Sequence, residues 1–286
     1  MQKYRAEQLK MYHLTYGERQ YYQPSIALVG CGGTGSLVGD GLCRLLIPHP
    51  ELALLLVDHD TVEEHNLLRQ AFYPGDVGGF KAQVLAERLS RLYGRPIGYS
   101  VNAFGDHQYT RESPLSRARI IIGCVDNPLA RAEIAASVEP TRFWVDAGNA
   151  ENLGQVLIGN TRDPADLRHA FNPETRVCYA LPLPTVQRPE LLLPAAEPVI
   201  NQELTTLDGP DCAVAVQLGG QSPVINQVMA ALVLEVVRRI MAGTCPWMAL
   251  YFDGERGDLR AVEATPENAA RAFGLKSTRG FLTQRR

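Results

Sequence analysis

Short apolar runs and longer stretches of helical spacing take turns along this chain. Ser25–Gly30 reads as a first strand and Gly33–Leu46 as the helix behind it. Pro48 and Pro50 then break the chain, and Leu52–Val57 is an unbroken apolar run, as expected of a strand covered on both faces. Over 79–93, Val84, Leu85, Leu89 and Leu92 fall on one side, with Glu87, Arg88 and Arg91 elsewhere, which predicts an amphipathic helix. Ile97–Val101 is a third strand and Ile120–Val125 a fourth, followed by a helix over Ala130–Ser137 and a fifth strand over Phe143–Ala147. This alternation predicts an α/β fold: a Rossmann-like, doubly wound, mostly parallel sheet with helices on both faces. Residues 151–160 add an antiparallel strand, and Trp247–Phe252 and Leu259–Glu263 complete an antiparallel C-terminal edge.

The flanks read differently. Residues 1–24 are expected to form an N-terminal helical arm, with a short helix over 2–12, ahead of a main domain over 25–264. Between about 171 and 220 the pattern dissolves, with Pro173, Pro182, Pro184, Pro189, Pro194, Pro198 and Pro210 excluding regular helix over most of it. A long irregular crossover of this kind is usually functional. Ser222 and Pro223 then supply an N-cap and a first helical residue for a helix through Met241, with Gly243 beyond its end. Residues 265–286 read as a polar tail, ordered at best in part.

Composition narrows the class without naming it. A length of 286 residues suits one large α/β domain, and 45% hydrophobic with 21% charged residues suits a globular chain. A net charge of −3 leaves no electrostatic footprint for nucleic acid. The N-terminus carries no apolar signal-peptide core, and the most apolar helix holds Asn226, Gln227, Glu235, Arg238 and Arg239. A cytoplasmic protein without a membrane span is therefore expected. None of the six cysteines forms a C-x-x-C pair, so free thiols and no structural zinc are expected.

Candidate chemistry begins at Gly30-Cys31-Gly32-Gly33-Thr34-Gly35, a glycine loop between a strand and a helix. Such a loop brings backbone N–H groups and a helix N-terminus to a phosphate. Alone it favours NAD, and an NAD-dependent oxidoreductase is the alternative reading. Asp58, at the end of the second strand, is placed to hold a ribose hydroxyl. Asn66, Arg69 and Lys81 gathered beside the phosphates do not suit hydride transfer. Two cations and an amide suit a triphosphate attacked at its α-phosphorus. Asp126, at the end of the fourth strand, is best explained among those cations as a Mg²⁺ ligand.

Taken in order, these motifs resemble the ThiF/MoeB superfamily of adenylating enzymes that activate ubiquitin-like and sulfur-carrier proteins. The resemblance runs over Gly30–Ser36, Val57–Val62, Asn66–Gln70, Gly79–Ala82 and Cys124–Asn127, and covers roughly residues 12–243. The overall look is nearest to the ThiF-type proteins of plasmid-borne PRTRC gene systems. The resemblance implies an adenylation domain over 25–264, with ATP and Mg²⁺ as cofactors. Its ATP-binding set maps onto Gly30, Gly32, Gly33, Gly35, Asp58, Asp60, Asn66, Arg69, Gln70, Lys81, Asp126 and Asn127. Arg69, Lys81 and Asp126 would be catalytic, with Asp126 as the Mg²⁺ ligand. Arg19, in Tyr16-Gly17-Glu18-Arg19-Gln20, matches a family arginine supplied to the partner subunit's site, which implies a homodimer. Cys212 stands where relatives carry an acyl-accepting cysteine, with Cys178 as the other candidate. Zinc-binding relatives have a C-x-x-C pair where Cys178 is followed here by Leu181. The implied substrate is the C-terminal carboxylate of a small ubiquitin-like or sulfur-carrier protein. A non-catalytic scaffold, and modification of a small peptide or a tRNA base, are the other readings.

Overall fold

In a computed structural model of the protein, residues 12–14, 25–105, 118–193 and 223–282 are described. Its elements run β1 (His13–Leu14), β2 (Ser25–Val29), α1 (Gly33–Leu45), β3 (Ala53–Val57), α2 (Lys81–Tyr93), β4 (Gly98–Ser100), β5 (Ala118–Gly123) and α3 (Pro128–Ser137). They continue through β6 (Phe143–Asn149), β7 (Leu153–Gly159), β8 (Val177–Cys178), α4 (Pro184–Gln187), α5 (Pro223–Met241), β9 (Trp247–Asp253), β10 (Asp258–Glu263) and α6 (Pro266–Ala272).

One eight-stranded sheet has the order β10-β9-β7-β6-β5-β2-β3-β4. From β4 to β6 every neighbour is parallel, and from β6 to β10 every neighbour is antiparallel. The apolar runs are continuous because both faces are covered. Ile26, Leu28, Leu54, Leu56, Ile120, Ile122 and Val145 pack with α1, α2 and α5. The alternate residues Ala27, Val29, Leu55, Val57, Ile121 and Trp144 pack on the other face with Ile134 of α3. This is the expected doubly wound sheet with an antiparallel C-terminal edge.

The Pro-rich stretch is structured as far as it is described. Residues 177–193 form β8, α4 and a 3₁₀ turn over Pro189–Leu192. The buried amide of Asn160 organises its start, donating to Pro140 O and Tyr179 O and accepting from Leu181 N at 2.7–2.8 Å. Within the stretch read as a helical arm, residues 12–14 include a short strand instead. β1 pairs in parallel with β8, and Leu14 N donates to Cys245 O. The helix expected over 2–12 falls on residues outside the described ones but for Tyr12, and Ser222 lies outside them as well.

The tail corrects the sequence reading. Thr265 caps α6 by accepting from Asn268 N, and Ala269 and Ala270 are buried. The chain then returns so that Phe171 N donates to Phe281 O and His169 N to Gly280 O, and the Phe281 ring joins the main core. Glu267, Arg271, Lys276 and Arg279 made the segment look polar, yet Pro266, Ala269, Ala270 and Phe281 are buried and dock it. Among the described residues no helix is long and apolar enough to cross a membrane. Phe281→Ala is expected to lower unfolding stability by about 3 kcal/mol. Urea denaturation checks this, and a loss below about 0.5 kcal/mol would show the tail to be undocked.

Candidate active site

Strand β2 lies between β3 and β5 and runs parallel to both, so the connections leave it in opposite directions. Such a switch point opens a crevice at the strands' carboxyl ends, where ligands bind in open α/β sheets. The glycine loop fills that place. Gly30 has φ +87°, and a Cβ there would lie 2.5 Å from the Cys124 carbonyl oxygen. A Cβ on Gly35 would overlap the Gly30 carbonyl oxygen, so the first turn of α1 packs directly on the loop. Gly30 N donates to Val57 O and Cys124 N to Val29 O, which knits the loop to both neighbours. The N-cap Gly32 has no side chain, so no side-chain cap claims the N–H groups that open α1. They are available to an anion.

Asp58 ends β3 beneath this loop. Its Oδ2 accepts from Cys31 N at 2.6 Å and its Oδ1 from Asp60 N at 2.9 Å. Burial raises its pKa above the ordinary carboxylate value, against the opposing pull of those two N–H donors and of the Lys81 charge. Lys81, at the start of α2, has a side chain only 10% exposed and reaches Asp60 Oδ2 at 2.9 Å. Its backbone N–H donates to Asp60 O, so the ammonium is held at one place on the wall.

A cavity of about 550 Å³ covers the loop, within the range of small-molecule sites. Gly30, Gly32, Gly33, Asp58, Asp60, Arg69, Lys81, Asp126 and Asn127 line it, and these are residues the sequence singled out. Asn127 also caps α3, accepting from Ala130 N at 2.8 Å. Three predicted residues are set back from the wall. Asn66 is buried and accepts from Glu63 N in the turn that carries Arg69. The Gln70 side chain lies against Gly32, and Gly35 packs beneath the loop. Asp126 is exposed and makes no ion pair among the described residues. Asp58, His59 and Asp60 also group their ligand atoms within 4.8 Å of one another. Asp58 is already committed to backbone N–H groups and Asp60 to Lys81, which leaves Asp126 the better-suited carboxylate for a divalent cation.

Two polar clusters behind the wall escaped the sequence reading. Asn226 of α5, fully buried, accepts from Thr34 Oγ1 at 3.3 Å and Asn149 Nδ2 at 3.0 Å, and donates to Arg69 O at 3.0 Å. Thr34 also donates to Asn149 Oδ1. One amide thus joins the first turn of α1, the end of β6, α5 and the Arg69 segment. On the other face, Arg131 of α3 pairs with Asp146 of β6 (Nε–Oδ1, 3.3 Å) with side chains 5% and 0% exposed, and donates to Val125 O. Burial raises the Asp146 pKa, and Arg131 opposes the shift. A charged residue inside the apolar strand Phe143–Ala147, and an asparagine in the first turn of an apolar helix, are the signals that mark both clusters in sequence.

Arg19 and Cys212 lie outside the described residues. Cys178 is buried and donates to Ala180 O, and burial pushes its thiol pKa far above the ordinary value. Such a thiol is a poor nucleophile. Cys31, within the loop, and Cys124, beside it, are shifted upward for the same reason.

The doubly wound sheet, with the glycine loop at its switch point and a strand-end carboxylate beside it, defines a Rossmann-like α/β protein. Residues 15–268 match the model of the ThiF family, and the chain belongs to that family. Ubiquitin-like modifier-activating enzyme 5 of Dictyostelium discoideum is 31% identical over 140 residues, 45% of this chain and 36% of that protein. Its namesake in Culex quinquefasciatus is 32% identical over 179 residues, 58% of this chain and 42% of that protein. The matches therefore span less than half the length of these relatives. Among solved structures, PaaA aligns with a TM-score of 0.58 at 16% identity, over 85% of this chain and 74% of PaaA. Escherichia coli MccB, solved with AMPCPP and MccA, aligns with a TM-score of 0.53 at 16% identity, over 85% of this chain and 64% of MccB. At these identities the likeness is one of fold.

Asn226→Ala would remove the side chain that bridges the Arg69 carbonyl to the buried Asn149 amide and Thr34. The expected loss is about 2 kcal/mol of stability, read by chemical denaturation, and an unchanged midpoint would contradict the bridging role.

Proposed function

We propose that this protein uses ATP to adenylate the C-terminal carboxylate of a ubiquitin-like or sulfur-carrier protein. One observation carries the reading: a single cavity wall gathers Asp58, Arg69, Lys81 and Asp126 around the glycine loop. A dehydrogenase needs the loop and Asp58 but has no use for the cations and the exposed carboxylate. Family membership and the likeness to ubiquitin-like modifier-activating enzyme 5 support the same choice.

In this reading Asp58 takes the ribose, and the α1 N-terminus and glycine loop take the phosphates. Arg69 and Lys81 neutralise charge on the triphosphate, and Arg19 of a second copy adds to it across a homodimer. Asp126 would hold Mg²⁺, which supplies further neutralisation of the departing pyrophosphate. The substrate carboxylate is ionised at neutral pH and needs no general base. Its oxygen bonds to the α-phosphorus, the bond to the bridging oxygen breaks, and acyl-adenylate and pyrophosphate result. Catalysis is positioning and electrostatic stabilisation. Cys212 then accepts the acyl group as a thioester, releasing AMP. Cys178, with its buried and strongly raised thiol, suits that role less.

Carrier-dependent exchange of labelled pyrophosphate into ATP tests the reading. Arg69→Ala and Lys81→Ala are expected to reduce exchange by about 10²-fold or more each. Cys212→Ala is expected to leave exchange intact while removing any thiol-sensitive adduct seen by mass spectrometry. No exchange with any carrier would refute adenylation, and tight NADH binding without ATP binding would favour the oxidoreductase. The raised Asp58 pKa sets a pH dependence. Its carboxylate is lost at higher pH than an exposed aspartate's, so nucleotide affinity should fall early on acidification. Asp58→Asn should flatten that profile, and an unchanged profile would remove Asp58 from the site.

A further inference from the structure

Asp126 is exposed, and its carboxylate makes no hydrogen bond or ion pair among the described residues. Its place on the cavity wall is therefore set by the backbone on either side of it. On one side, Val125 O accepts from Arg131 Nη2 at 2.7 Å. On the other, Asn127 caps α3, accepting from Ala130 N at 2.8 Å. Arg131 belongs to α3, so the turn from Val125 to Arg131 closes on itself around Asp126. Asp146 of β6 anchors that turn to the sheet through Arg131 Nε at 3.3 Å.

The anchor is not what stability alone would select. Its side chains are 5% and 0% exposed, and desolvation takes back much of what such a pair gains. An apolar pair of similar volume is often as stable or more so. Two glycines leave room for the charged pair. A Cβ on Gly123, opposite Asp146 in the sheet register, would lie 3.3 Å from Asp146 Oδ1. One on Gly148 would lie 3.5 Å from Arg131 Nη2. What the pair holds is the carbonyl one residue before Asp126. We propose that Arg131 and Asp146 are positioning residues, which fix the Val125 carbonyl and through it aim the Asp126 carboxylate at the divalent cation that accompanies ATP. The inference rests on the adenylation reading, with Asp126 as the Mg²⁺ ligand, and deepens it. Arg131 is cationic and cannot itself be a ligand, and Asp146 does not line the cavity. Partners that orient a ligating carboxylate from behind commonly change metal affinity by roughly 10- to 100-fold when they are lost.

The test is calorimetric titration of ATP into the full-length protein, once with Mg²⁺ and once with EDTA. In the unmodified protein Mg²⁺ is expected to tighten ATP binding about tenfold or more. Asp146→Asn, which keeps the shape and removes the charge, should abolish most of that enhancement and leave the affinity in EDTA within about twofold. General loosening of the fold would instead weaken both titrations together. Arg131→Leu combined with Asp146→Leu removes the tether without stranding a charge. It should show the same selective loss, and it carries the test if Asp146→Asn fails to fold. In an Asp126→Ala background the enhancement should already be gone, and adding Asp146→Asn should change nothing further. An enhancement that survives in Asp146→Asn or in the double leucine variant, or a loss equally large in EDTA, would overturn the positioning role. No enhancement in the unmodified protein, or one that survives Asp126→Ala, would overturn it too by removing Asp126 from the metal. Carrier-dependent pyrophosphate exchange is followed in parallel. Exchange in the unmodified protein with an intact enhancement in Asp146→Asn removes the positioning role and leaves adenylation standing. Selective loss of the enhancement without exchange keeps the positioning role and removes adenylation.

Discussion

The site depends on how closely the backbone at Gly30 is seated between β3 and β5. The Gly30 N–H is spent on β3, and the neighbouring β5 carbonyl at Cys124 leaves no room for a Cβ. Asp58 then ties the next residue of the loop to the end of β3. With the loop pinned on both sides, the opening turn of α1 has one orientation, and its N–H groups point into the crevice. A sheet covered on both faces supplies the rigidity this needs, because alternate residues of each central strand are locked into opposite cores. The polar machinery is arranged around that fixed point.

Most of that machinery is partly buried and therefore must be mutually satisfied. Asn226 reaches from α5 to Thr34, Asn149 and Arg69 O, so the last long helix buttresses the glycine loop instead of merely covering the sheet. Lys81 is held by Asp60, and Arg131 by Asp146. Asp60 is open to solvent, but the Arg131–Asp146 pair is buried, and breaking a buried pair is far more harmful than the pair is stabilising, because one charge would be left without a partner. Such pairs hold guanidinium and ammonium groups still. Preorganised charge of this kind suits the nucleotidyl transfer proposed above. Asp146 Oδ2 and the Gln155 amide depart from the rule, each buried without a hydrogen-bonding partner among the described residues.

The described cysteines follow similar physical lines. Cys31, Cys43, Cys178 and Cys245 are buried and Cys124 is half-buried on the cavity wall, and burial disfavours the thiolate in each. They behave as small core residues despite lying near the glycine loop or under the Pro-rich segment.

What the sequence determined by itself was the order and type of the central elements and the glycine loop at the head of the first long helix. Those follow from local pattern: apolar runs of strand length, helical spacing, and glycines at one turn. Asp58, Arg69, Lys81 and Asp126 were legible because each stands at a fixed offset from an element end. The set-back of Asn66 and Gln70 was not, because a motif carries no information on which way a turn faces. The docked tail was misread because its charged surface residues mask the few buried ones, Pro266, Ala269, Ala270 and Phe281. Only the tertiary structure decided that Asn226, Asn149 and Thr34 share one hydrogen-bond cluster, or that Arg131, which lines the cavity with Gly148, is held from behind by Asp146. These contacts join residues far apart in the chain, and sheet order brings them together. Local spacing cannot encode that order, since it arises from which buried faces find each other when the whole sheet assembles.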